Sequence, residues 1–158
     1  MNASHPAPRR HFLLAAMAGG IAAGIVSTLV QIGLWLLFTD DFPEILLRDA
    51  RLTAALILGS RVLAPGAVAD WPVMGVATLI HFGLSFVYSA VMGAVARPLA
   101  GLRLVAAGAL LGAALYFINL YGFTLLFPWF SAARGWITLA AHVAFGVTAV
   151  LTCRWLSR

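Results

Sequence analysis

The chain has 158 residues, 63% of them hydrophobic and only 9% charged, with a mean hydropathy of +0.99. A water-soluble domain carries about a quarter charged residues, so this composition excludes a soluble globule and leaves the lipid bilayer to cover the surface. Intrinsic disorder and a disulfide scaffold are excluded as well, because Cys153 is the single cysteine. The net charge of +5 arises from ten arginines, no lysine and five acids. The arginines are scattered at the ends of apolar segments, which makes them topology signals rather than a nucleic-acid contact surface.

Crossing about 30 Å of hydrocarbon at 1.5 Å per residue takes roughly 20 residues. Four stretches are long enough: residues 12–38, 71–96, 104–127 and 136–155. The expected fold is therefore all-α, an integral membrane bundle of four transmembrane helices in one domain covering residues 1–158. The first span follows Arg9-Arg10-His11-Phe12-Leu13-Leu14, which looks like a twin-arginine export signal. Its apolar run continues to residue 38 without a convincing small-x-small cleavage site, which fits an uncleaved span better than a 7–15-residue signal core.

Between the first two spans, residues 43–63 carry Glu44, Arg48, Asp49, Arg51 and Arg61, which are costly at the bilayer centre. An amphipathic helix lying along the interface is predicted there. Asp41 is placed to cap it, Pro43 falls in its first turn, Glu44 and Arg48 are spaced as an i,i+4 pair, and Gly59 and Pro65 mark its end. All five acids, Asp40, Asp41, Glu44, Asp49 and Asp70, fall in this one connection. Asp40, Asp41 and Glu44 could hold a cation weakly, but such a cluster ordinarily caps a helix and solvates a loop.

Arg9, Arg10, Arg97, Arg103, Arg154 and Arg158 lie on short segments without acids, whereas Arg48, Arg51, Arg61 and Arg134 lie on the two other connections. The positive-inside rule then predicts cytoplasmic termini and an external acidic connection. Trp35, Phe38, Phe42, Trp71, Phe127, Trp129, Phe130 and Trp136 would form the outer aromatic belt, with Trp155 marking the inner interface.

Spacings of three and four residues mark one polar or small-residue stripe on each span. These are Gly20, Gly24, Ser27 and Gln31; Thr78, His81, Ser85 and Tyr88; Gly108, Gly112, Leu115, Asn119 and Gly122; and Thr138, His142, Ala149 and Thr152. The stripes are expected to face one another, with Gly20–Gly24 and Gly108–Gly112 allowing close helix approach. Because the spans alternate in direction, Gln31, His81, Asn119 and His142 reach a similar depth, and with Ser85 they predict an interior polar layer. In the simplest reading, these groups bond to each other or to backbone carbonyls and set helix register.

Two sharper readings use the histidines. His81 and His142, on separate helices at matching depth, could ligate a b-type haem, with Arg61 or Arg134 near its propionates. Tyr88 and Tyr116 would crowd such a macrocycle, and there is no CxxCH attachment sequence. Alternatively, the polar layer would be a small pore or proton-responsive path, although no apolar run contains the carboxylate that proton-coupled transport ordinarily uses. Two histidines alone are an incomplete structural-metal set. No GxSxG, HExxH or phosphate-binding glycine loop is present, and enzymatic activity is not expected. Cys153, beside Arg154, reads as a passive lipid-facing side chain at a span end. The expected partner is the lipid bilayer, with a homo-oligomer or membrane complex left open and nucleic acid excluded.

The chain order Gly-Ile-Ala-Ala-Gly-Ile-Val-Ser, Asp-Phe-Pro, Leu-Leu-Arg-Asp, His81-Phe-Gly-Leu-Ser85, a glycine-rich third span, Leu126-Phe127-Pro128-Trp129 and Ala-Ala-His142 resembles the YagU-like small bacterial inner-membrane proteins. It departs from them in a shorter connection before the second span and a shorter C-terminal tail. The resemblance implies a four-span inner-membrane protein without established enzymatic activity and with a loose association with acid tolerance. His81, Ser85 and His142 match its characteristic positions and inherit no role from it.

Overall fold

The structure is a computed structural model that describes residues 8–64 and 70–157, so the predicted stop at Pro65 lies outside the described residues. These residues form helices and turns and contain no strand. Four helices are long and apolar enough to cross a bilayer, and the chain is a multi-pass membrane protein. The helices are α1 (Pro8–Phe38), α2 (Glu44–Leu58), α3 (Trp71–Val95), α4 (Gly101–Phe117) and α5 (Trp136–Leu156).

At 15 residues, α2 is about 22 Å long and too short to span. It packs on α3 and on the turn Pro128–Ala133. Its capping differs from expectation. Asp41 contributes its backbone carbonyl to Ile45 N–H, and no side chain caps the helix. Arg48 turns to its neighbour instead of Glu44, donating from Nε and Nη2 to Asp49 Oδ1 at 2.9 and 2.8 Å. Gly59, at φ 78°, ends the helix in the left-handed region open to glycine. The cap on α3 was not anticipated: Asp70 Oδ1 accepts from Val73 N–H at 3.3 Å, with Pro72 in the first turn.

Helix α5 is the hub of the bundle. It packs against α1, α4 and α3, and α1 packs in turn against α3. Small residues make these approaches possible. A Cβ on Gly20 would stand 2.8 Å from the backbone of Phe86, and one on Gly112 would fall on the carbonyl of His142. Gly146, absent from the predicted stripes, completes the α4–α5 crossing, where its Cβ would meet the carbonyl of Gly108.

At the end of the bundle carrying Arg97 and Arg154, Met92, Leu104, Ala149 and Val150 belong to the largest buried apolar cluster. Cys153 sits beside it and not in lipid. It is 5% exposed, and its Sγ lies 3.4 Å from Ser89 Oγ, so the expectation of a lipid-facing thiol is corrected. The small residues Gly19 and Gly93 make the room for it.

The third span departs most from its predicted form. α4 stops at Phe117, and a π-helical turn, Ile118–Gly122, follows, closed by Phe123 N–H donating to Ile118 O. A 3-10 turn, Phe123–Leu125, continues the chain. The aromatic belt is also smaller than predicted: Phe38, Trp71 and Trp136 are exposed, but Trp35 is buried and Trp129 donates its indole N–H to Leu52 O at 3.1 Å.

Candidate functional site

The polar stripes converge on a cavity of about 400 Å³ between the helices, at the end of the bundle bearing α2. This lies within the roughly 300–1,000 Å³ of small-molecule pockets. Gln31 comes from α1, His81 and Ser85 from α3, Asn119 from the π-helical turn and His142 from α5, so all five predicted polar-layer residues line one space. Leu115 and Phe145 belong both to its lining and to the buried apolar cluster, which makes them its floor. Below them the bundle is packed with apolar side chains and glycine crossings.

Each histidine is oriented by a backbone carbonyl. His142 Nδ1 lies 2.8 Å from Thr138 O, and His81 Nε2 lies 3.4 Å from Gly24 O. A carbonyl can only accept, so in the neutral rings His142 carries its proton on Nδ1 and His81 on Nε2. The other nitrogen of each ring remains a hydrogen-bond acceptor. Tyr88 donates its hydroxyl to Asn119 Oδ1 at 3.0 Å, a bond between α3 and the π-helical turn. The Gln31 side chain has no hydrogen-bond partner among the described residues.

Two stripe residues are exposed instead of facing the interior. Thr78 is exposed and bonds back to Met74 O at 2.8 Å, and Gly122 is exposed with no neighbour for a Cβ within 4 Å. Phe127 and Phe130, expected in the belt, turn inward and line the cavity. Arg134 does not line it. Its Nε donates to Leu120 O at 2.8 Å, its Nη2 donates to Thr124 Oγ1 at 3.0 Å, and its guanidinium lies 4.2 Å from the Tyr121 ring centre. It thus clamps the irregular end of the third span. The other arginine considered for haem propionates, Arg61, is exposed in the turn Ser60–Leu63 and does not line the cavity.

The sequence reading missed Asp49. It lies outside every apolar run, yet it shares a face of α2 with Leu52, Thr53 and Leu56, and all four line the cavity. Their i, i+3, i+4, i+7 spacing was the available signal. Burial pushes the Asp49 carboxyl above its ordinary 3.8, and the charge and hydrogen bonds of Arg48 draw it part of the way back. In the window from 3.8 up to that raised value, the folded protein holds more protons than the unfolded one. Stability therefore falls as pH rises through the window and is level above it. We expect the melting midpoint in detergent to decline as pH rises from 3.8 through this window and the decline to disappear in Asp49→Asn. Parallel curves for the two proteins would remove Asp49 as the cause.

Among the described residues, no group of three or more His, Cys, Asp or Glu side chains is placed to hold a metal ion. Searches against family models, curated proteins and solved structures found no match for this chain. Its functional reading rests on the cavity itself.

Proposed function

We propose that this is a non-catalytic protein of the bacterial inner membrane, with cytoplasmic termini, that binds a small, partly polar molecule in the cavity. The observation that carries the reading is the meeting of Gln31, His81, Ser85, Asn119, His142 and Asp49 around one space of ligand size. Bonds that only set helix register would leave no such space. The apolar packing beneath Leu115 and Phe145 supports a dead-end binding site over a pore, because a conducting path would have to open that packing.

The orientation follows from the arginines. Arg97, Arg103 and Arg154 mark the cytoplasmic end, and α2 and the cavity face outward. An accessory role in acid tolerance, implied by the YagU-like resemblance, would act through Asp49 and the two histidines.

Native mass spectrometry of the protein released from its membranes in mild detergent tests the proposal. The wild type is expected to retain a small molecule that is lost from Ala141→Phe and Gln31→Phe, which fill the cavity from α5 and α1. A bare chain in the wild type, or an adduct retained in both variants, would overturn the reading.

A further inference from the structure

The cavity has a lateral opening. Of its lining residues, only Leu84 on α3 and Phe123 after α4 are exposed, at 38% and 40%. The other lining residues are buried or half-buried. α3 packs on α1, α2 and α5, and α4 packs on α5, so α3 and α4 leave a gap that the Tyr88–Asn119 bond crosses. Leu84 is near the middle of its 25-residue helix, while Phe123 lies at the α2 end. The slit between them therefore runs from mid-bilayer toward the interface and opens onto hydrocarbon. A ligand using it arrives dissolved in the membrane, with its polar head in the cavity and its tail between α3 and α4.

The chemistry of the walls selects the head. One carboxylate and no arginine line the cavity, and the chain has no lysine. An anionic head such as a fatty-acid carboxylate or a lipid phosphate would meet Asp49, and the cation at hand, Arg48, is already bonded to that carboxylate and does not line the cavity. The polar groups offer both kinds of partner: one unprotonated nitrogen on each histidine ring and the Asp49 oxygen not bonded to Arg48 accept, and the amides of Gln31 and Asn119 and the hydroxyl of Ser85 donate. Around them stand the rings of Tyr88, Phe123, Phe127, Phe130 and Phe145. Acceptors and donors side by side in aromatic walls suit a flat, neutral ring whose hydroxyls both donate and accept hydrogen bonds.

Building on the cavity being a binding site, we infer that its ligand is a membrane-soluble quinol, a neutral dihydroxy aromatic ring on a hydrocarbon tail, admitted from lipid between Leu84 and Phe123. The site binds the quinol without electron transfer. Its hydroxyls donate to the acceptors, and its tail remains in the slit.

Binding to the full-length protein in nanodiscs tests this with three probes bearing matched decyl tails: decylubiquinol, decanoate and decyltrimethylammonium. Decylubiquinol is expected to bind at least about tenfold more tightly than either of the others. It should weaken by at least about tenfold in Gln31→Leu and in His142→Gln, two changes on different helices that keep the cavity's size. Equal or tighter binding of decanoate or decyltrimethylammonium would overturn the quinol and leave the cavity proposal standing. Quinol binding unchanged in both variants would place it in lipid and overturn the inference. A reduced b-type haem spectrum in the purified protein, lost in His81→Ala and His142→Ala, would replace the quinol with haem. Failure of the cavity proposal itself is read separately, from the adduct in the filled variants.

Discussion

Replacing Gly112 with alanine is expected to lower the thermal midpoint in detergent sharply, whereas the same change at Gly83 should leave it level or raise it. A Cβ at Gly112 lands on the carbonyl of His142, with the His142 carbonyl carbon and Val143 Cα each 2.9 Å away. These are backbone atoms and cannot rotate aside. The crossing yields only if α4 and α5 separate along their contact, and overpacking of this kind costs about 1–3 kcal/mol. Gly83 has nothing within 4 Å of the corresponding position, so alanine there contributes only its better helix propensity, about 1 kcal/mol. Because the obstructed carbonyl belongs to His142, Gly112→Ala should also weaken ligand binding. Equal midpoints for the two variants would show that the α4–α5 crossing is looser than the structure has it.

Arg134→Ala is expected to be the most damaging change outside the membrane-crossing helices. Two hydrogen bonds from one guanidinium hold the carbonyl of Leu120 and the hydroxyl of Thr124, and the same group lies over Tyr121. A π-helical turn leaves its carbonyls without regular helical partners, and Leu120 lies within that turn. Hydrogen bonds from charged groups contribute about 1.5–3 kcal/mol when shielded. Arg134 is exposed, which screens these bonds, so about 1 kcal/mol is the expected loss. Lysine keeps the charge but not the planar fork and should recover less than half of it. Hydrogen exchange localises the effect: protection should fall across residues 118–125 and hold along α5. Unchanged exchange in that segment would end the clamp interpretation.

The resemblance between predicted and observed spans has a simple cause. Span length and polarity are local properties, so the ends of α5 were legible to within a residue from hydropathy alone. Helical period is local too, which is why Gln31, His81, Ser85, Asn119 and His142 could be assigned to inward faces before any packing was known. Where a local rule met a distant partner, it failed. Trp35 has the composition of an interfacial anchor but is 3% exposed. Trp129 has the same composition but gives its indole N–H to Leu52 O, 77 residues away. Cys153 at a span end looked lipid-facing until the small residues of α1 and α3 were placed beside it.

Composition, span number and the inward-facing polar set thus follow from residue type and helical period, which act over a turn or two of chain. The cavity does not. It exists because α3 and α4 are held apart while both attend to α5, because a π-helical turn carries Asn119 across to Tyr88, and because α2 folds back to bring Asp49 over the space. Each of these depends on side chains far apart in sequence meeting at a fixed distance, and a one-dimensional pattern does not encode that distance.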